Sequence, residues 1–385
     1  MALTIRPVRS KKDLKAFIGL PFRLYADEPN WVPPLLSERR MHLDRARNPF
    51  FEHADAEYFL AERDGRVVGR ITAQIDHRYH EFHDVRWGFF GFFECEDDPG
   101  VAAALLDTAE GWLTACGCDR MVGPWDFSTN DEGGILIEGH ERPAIILTPW
   151  SHRHYPALLE SAGMTKAMDL LMWELRVQGR EKVHPAIWEM AGKVESEHGI
   201  VCRPFRKKDL QAEVTRFMEV YNQAWERNWG FVPLTEHEVR HYAETLKPVL
   251  SEHWAMIAER KDTGETVGAA LTLPDYNQVL SKLNGRLLPF GWIKALIAQR
   301  KINSVRVLAL GVKPEYQHTG VAARFYEMHF DSAARTPQTG GEMGWILETN
   351  EPMNRAMEGM GGKVVRRYRI YERELAAAEP PQGLG

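Results

Sequence analysis

The sequence predicts an α/β chain made of two tandem copies of one domain. Three observations carry this. Landmarks recur at a common spacing: Asn30-Trp31-Val32-Pro33 and Asn228-Trp229-Gly230-Phe231-Val232-Pro233 begin 198 residues apart, Val67-Val68-Gly69 and Thr266-Val267-Gly268 end 199 apart, and Gly163 and Gly361 close similar helices 198 apart. Such a period is far too long for a solenoid repeat and equals a whole domain. The second observation is a strand–loop–helix signature at 305–328, and the third a strand–helix–strand signature at 345–373. A length of 385 residues suits two domains.

In the first copy the pattern predicts a strand over 3–8 and a helix opening at 11–18. Strands over 58–63 and 67–76 form a hairpin around Asp64-Gly65, a strong turn dipeptide. An aromatic strand follows over 86–94, then a helix over 99–116 with Pro99 at its start, where a missing N–H costs nothing. A short strand over 144–147, a helix over 155–161 ending at Gly163, and a final strand over 169–177 complete it. A linker helix over 181–197 precedes the second copy, giving domains at 1–180 and 201–385 joined by 181–200. Each copy carries one insertion, at 125–142 and 278–303. The second contains Leu287-Leu288-Pro289-Phe290-Gly291-Trp292, apolar enough for a lid, a domain contact or a partner surface, and too short to span a membrane.

The second copy holds the strongest signal. Val305, Val307, Leu308, Leu310 and Val312 make a buried strand. Pro314 ends it, because proline cannot donate to a ladder. Gln317, His318, Thr319, Gly320, Val321 and Ala322 then turn into a helix with Val321, Phe325 and Met328 on its apolar face. The first N–H groups of that helix have no internal partner, and with the dipole they make an anion site. Gly320 and Ala322 leave room for a phosphate to approach. Downstream, a strand over 345–350 meets Asn350, a helix runs over 351–360, Gly361-Gly362 ends it, and a strand occupies 363–373.

These two segments resemble the GNAT superfamily of acyl-CoA-dependent acyltransferases. The loop matches the family's Gln/Arg-x-x-Gly-x-Gly/Ala pyrophosphate loop after a strand ending in Val-x-Pro, here Val312-Lys313-Pro314. The resemblance implies two GNAT-like domains, each a mixed, mostly antiparallel twisted sheet flanked by helices. It implies acetyl-CoA or another short acyl-CoA as co-substrate, with main-chain groups of Leu310 and Val312 along the pantetheine, Gln317, His318, Thr319, Gly320, Val321 and Ala322 around the pyrophosphate, and Asn350 at the cofactor. The acceptor pocket would be shaped by Glu226, Trp229, Phe231 and Tyr276. A general base must free a neutral amine, and Glu348 is the first candidate, Asp275 the second. A backbone N–H near 310–312 would polarise the thioester carbonyl. One departure stands out: Met357 occupies the position where many members carry a tyrosine general acid. Tyr368 and Tyr371 read as packing residues. The first copy has Glu94-Cys95-Glu96-Asp97-Asp98-Pro99-Gly100 in place of the loop, four carboxylates that would repel a pyrophosphate, and is expected not to bind CoA.

The function expected is transfer of an acetyl group to an amine of a small molecule; a non-catalytic acyl-CoA-binding or regulatory protein is the alternative. A tandem enzyme using aminoacyl-tRNA is disfavoured by the loop and by a formal net charge of −6, which leaves no footprint for nucleic acid. The N-terminal segment lacks the apolar core of a signal peptide, and four cysteines make no disulfide framework, so a cytoplasmic setting is expected. His77, His80 and His83 at i, i+3, i+6 could gather around a metal in a tight turn, yet read as a polar loop, and no metal is expected. Neither a nucleic-acid nor a membrane partner is expected; a homodimer is possible.

Overall fold

A computed structural model describes residues 2–376. The first half of the sequence runs β1 (Leu3–Pro7), α1 (Lys11–Leu24), α2 (Leu36–His42), β2 (Ala54–Arg63), β3 (Arg66–Asp76), α3 (His77–His83), β4 (Trp87–Cys95), α4 (Pro99–Ala115), β5 (Arg120–Gly123), β6 (Ile135–Glu138), α5 (Tyr155–Ser161) and β7 (Thr165–Arg176). The second runs α6 (Pro185–His198), β8 (Ile200–Pro204), α7 (Leu210–Ala224), α8 (Glu236–Leu246), β9 (Ala255–Arg260), β10 (Thr266–Pro274), α9 (Asn277–Leu280), α10 (Gly291–Ala298), β11 (Val305–Val312), α11 (Val321–Arg335), β12 (Gly340–Leu347), α12 (Glu351–Gly359) and β13 (Lys363–Glu374).

Two compact units emerge. Unit 1 comprises the chain up to Asp169, Asn284–Arg286, and the chain from Arg367 onward; unit 2 comprises Leu170–Leu283 and Leu287–Arg366. Their sheets follow one plan. In unit 1 the order is β1-β2-β3-β4-β5-β13, with β6 also on β13; in unit 2 it is β8-β9-β10-β11-β12-β7. Every pairing in these orders is antiparallel except β4 with β5 and β11 with β12. The last strand of each sequence copy therefore completes the sheet of the other unit. Tyr371 to Glu374 pair with Arg120 to Gly123, and Leu170 to Arg176 pair with β12.

The helices form where capping and patterning dictate. Ser10 and Asp13 make a capping box at α1, Thr235 and Glu238 one at α8. In unit 1, α4 lays Val101, Leu105, Leu106 and Leu113 onto β3 and β4, a core that includes Ile71, Phe90 and Tyr155. In unit 2, α11 lays Val321, Phe325 and Phe330 onto β10 and β11, beside Met357 and Met360 of the α12 region.

Two expectations need correction. The stretch 144–147 is not a strand. Ala144 N–H donates to Asn30 O, Leu147 takes a positive φ of 58°, and Thr148 N–H closes a turn on Ile145 O, so the buried Ala144, Ile145 and Ile146 pack as irregular chain. The strand lies instead at Ile135–Glu138, inside the presumed insertion. His77–His83 is not a loop but helix α3, capped by the Asp76 carboxylate, which accepts from Arg78 N and Tyr79 N.

Candidate functional site

Unit 2 opens between β11 and β12. Parallel pairing is confined to Val305, Arg306 and Val307 against Gly341, Glu342 and Met343. β11 continues to Val312 and β12 to Leu347 without further pairs. Lys313 N–H donates to Val267 O of β10 at 2.9 Å. Strand alternation then turns the main-chain groups of Val312 and Leu310 away from β10, toward the opening. Gln317 Nε2 reaches Val312 O at 3.4 Å.

At the mouth of this opening Pro314–Thr319 is a 3-10 turn, Gly320 sits in the left-handed region at φ 81°, and α11 starts at Val321. Its cap residue is a glycine, so no cap side chain takes the first N–H groups. Gln317 and His318 are exposed beside them. The pyrophosphate of an acyl-CoA fits an uncapped helix start of this kind. The reason for Gly320 differs from expectation, however. A β-carbon there would stand 2.9 Å from the main-chain oxygen of Met190 in α6. The bare side of the glycine receives a helix backbone, not a phosphate.

Below α11 lies an apolar cavity of about 60 Å³ bordered by Val305, Val307, Tyr326, Phe330, Met343 and Met360. His329 stands in its wall. Its Nδ1–H donates to Phe325 O at 2.7 Å, which leaves Nε2 to accept the Thr272 hydroxyl at 2.8 Å. Burial pushes its pKa down to about 4, so the imidazole is neutral.

Unit 1 has the same strand plan but a filled opening. β4 and β5 pair only at Trp87 to Phe89, and beyond them Trp125 N–H donates to Phe90 O at 2.8 Å while Phe92 N–H donates to Asp126 Oδ1 at 2.9 Å. A β-carbon on Gly91 would fall 1.8 Å from Trp125 O, so the loop after β5 lies directly on the strand. The start of α4 is capped by Asp98, whose Oδ1 accepts from Gly100 N and Val101 N and whose Oδ2 is held by Arg63 at 2.7 Å. A pyrophosphate does not fit a helix start already occupied by a carboxylate.

One of the four carboxylates in the acidic stretch of unit 1 is drawn inside the unit. Glu94 is turned inward. Tyr25 and Tyr155 both donate to its Oε2, at 2.6 and 2.7 Å, and the Arg70 guanidinium lies 3.8 Å from Oε1. Burial pushes its pKa up to about 7. Nearby Asp126, beside Arg39, is raised by burial to about 6. Sequence reasoning missed this network, because Tyr25, Glu94 and Tyr155 lie far apart in the chain.

No family model matches the chain. Two curated proteins align with nearly all of it. Protein YghO of Escherichia coli (strain K12) is 37% identical over 377 residues, covering 96% of this chain and 95% of its own length. Bacterial ceramide synthase of Caulobacter vibrioides (strain NA1000 / CB15N) is 37% identical over 380 residues, 97% of this chain and 98% of its own. Among solved structures, a tandem GNAT protein from the clavulanic acid biosynthesis pathway superposes with TM-score 0.59 at 10% identity, over 98% of this chain and all of the other. The chain belongs to one family with these two curated proteins, and its fold is that of tandem GNAT proteins. A GCN5-related N-acetyltransferase from Sphaerobacter thermophilus superposes on this chain with TM-score 0.53 at 15% identity, over 97% and 96% of the two.

In this GNAT-like fold the remaining candidate residues fall as follows. Asn350 caps α12, its Oδ1 accepting from Met353 N at 3.2 Å. Asn354, which sequence reasoning did not single out, donates to Leu347 O and Glu348 O and accepts from Trp173 Nε1 at 3.0 Å, so it fixes the end of β12. Glu348 is half-buried just past that end. Asp275 is buried, and its carboxylate accepts from Asn277 N, Gln278 Nε2 and Ser304 Oγ. It shapes the turn after β10. Tyr276 is half-buried beside it. In the corner after α7, Phe231 is buried against Tyr221, Trp229 is half-buried and Glu226 exposed. Met357 is fully buried, as are Tyr368 and Tyr371. Among the described residues no group of three or more His, Cys, Asp or Glu side chains could hold a metal ion.

Proposed function

We propose that this protein is an acyl-CoA-dependent N-acyltransferase, with acyl-CoA held by unit 2 and an amine-bearing lipid as acceptor. One contrast carries the reading. Unit 2 combines an unpaired opening between its two parallel strands with an uncapped helix start at the mouth, whereas unit 1 fills the opening and caps the helix itself. Main-chain groups of Leu310 and Val312 would line the pantetheine, Gln317 to Ala322 the pyrophosphate, and Asn350 the neighbouring edge. The acceptor class is supported by the relative named a ceramide synthase, 37% identical over 97% of this chain. A ceramide is the amide of a fatty acid with a long-chain amino alcohol, so a lipid amine is favoured here over a small polar one.

The thioester supplies an activated carbonyl. The protein must deliver the amine unprotonated, and Glu348, beside the opening, is the group for that proton. Asp275 is the weaker choice, since its oxygens already serve the turn around Ser304. A thiol has a pKa of about 8.5, so CoA can depart as thiolate without the acid that Met357 cannot be.

Calorimetric titration of acetyl-CoA and of a long-chain acyl-CoA into the wild type and His318→Glu tests the site. His318 is exposed, so the variant adds charge at the loop without disturbing the core. Binding at least about tenfold weaker in the variant is expected; equal binding places CoA elsewhere. Mass spectrometry of reactions with a sphingoid base and with small polar amines then decides the acceptor. The buried Met357 favours one further reading, an acyl-CoA-binding protein without turnover, which binding with no product from any amine would establish.

A further inference from the structure

The segment from Leu287 to Lys301 presents an apolar surface to solvent. Leu288 is 77% exposed and Phe290 69%, followed by Trp292, Ile293, Leu296 and Ile297 at 41% or more. α10 contains no buried residue at all. Its fold is nonetheless defined: Trp292 N–H donates to Leu287 O at 2.9 Å and its indole Nε1–H to Pro289 O at 3.1 Å. Large exposed apolar residues are elsewhere scattered singly along the chain, whereas here they gather within eleven positions, and gathered patches mark interaction sites.

Charge identifies the partner. From Tyr276 to Pro314 there is no Asp or Glu, in a chain of formal net charge −6. Lys282, Arg286, Lys294, Arg300 and Lys301 are all exposed around the apolar residues. An exposed helix with large apolar side chains, in a stretch whose only charged residues are cationic, has the composition of an element that lies in a membrane interface, its apolar groups below the headgroups and its cations among the phosphates. We propose that this segment docks the protein onto an anionic lipid surface. Lying on a bilayer is distinct from spanning one. Among the described residues no helix is long and apolar enough to cross.

Flotation of the full chain with phosphatidylcholine vesicles, with or without phosphatidylglycerol, tests this. Binding to the anionic vesicles, weakened by 0.5 M salt, is expected. Each neutralised cation is worth about fivefold in binding, so Lys294→Glu/Arg300→Glu, which reverses both charges, should bind at least about 30-fold more weakly. Leu288→Ser/Phe290→Ser should stop floating while keeping the wild-type melting temperature, since neither side chain is buried. Absence of flotation by the wild type overturns the proposal, as does flotation that is indifferent to phosphatidylglycerol and to Lys294→Glu/Arg300→Glu. A wild-type dimer that the Leu288→Ser/Phe290→Ser variant disrupts, without vesicle binding, assigns the patch to a second copy of this chain instead.

Discussion

The main-chain oxygen of Met190 stands 2.9 Å from the place a β-carbon on Gly320 would take, and Gly320 holds φ at 81°. Two independent constraints thus fall on one residue, and both come from protein backbone. Gly320→Ala is expected to lose about 1–3 kcal/mol of stability, read as a lower urea midpoint. A midpoint equal to wild type would mean that α6 does not rest on this turn.

Glu94 makes stability depend on pH. Its folded pKa of about 7 lies above its ordinary 4.5, so the folded state holds a proton that the unfolded chain has released. The favourable contribution is complete below about 4.5 and is lost as pH rises through 7. Asp126, raised to about 6, acts in the same direction. Glu94→Gln keeps an acceptor for Tyr25 and Tyr155 but has no proton to lose. Its melting temperature should match wild type near pH 5 and exceed it at pH 8, by an amount corresponding to at most about 3 kcal/mol. A constant difference across this range would refute the assignment.

Restoring the family's tyrosine should not create an acid. Met357 is fully buried among Val321, Phe325 and Met360 of the unit 2 core. Met357→Tyr must force a longer ring and a hydroxyl into that space, and a cost of about 1–3 kcal/mol is expected with no gain in turnover. A faster enzyme of unchanged stability would show that the ring reaches the strand opening.

Arg366 pairs with Glu342 through two contacts, 2.8 and 3.1 Å, with both side chains under 10% exposed. Removing the cation leaves a carboxylate inside unit 2. Arg366→Met is expected to cost about 3–5 kcal/mol, and adding Glu342→Met should recover most of it. The check is a double-mutant cycle by denaturant unfolding, and additive losses would sink the coupling.

The legible parts of this fold were those encoded by short-range pattern. Val305 to Val312 and Val321 to Phe325 announce a strand and a helix because burial imposes their periodicity, and the 198-residue offset betrays the shared plan of two sheets. What stayed hidden depends on neighbours distant in the chain. Nothing around Gly320 announces that Met190 will lie on it. Glu94 sits in an acidic run, and only the fold brings Tyr25 and Tyr155 to its carboxylate. His77 to His83 looked like a loop because its polar residues conceal a helix whose start is fixed by one Asp76 carboxylate. Ile145 and Ile146 mimic a strand because they are apolar, yet their backbone turns.

The exchanged final strands give the protein an unusual order of completion. The strand that closes the first sheet, Tyr371 to Glu374 against Arg120 to Gly123, leaves the ribosome about 250 residues after its partner. At ordinary synthesis rates that is a delay of about 10 to 50 s, during which β5 presents an unpaired edge. Each half of the sequence taken alone lacks the strand that pairs with the last of its own sheet, β13 for β5 and β7 for β12.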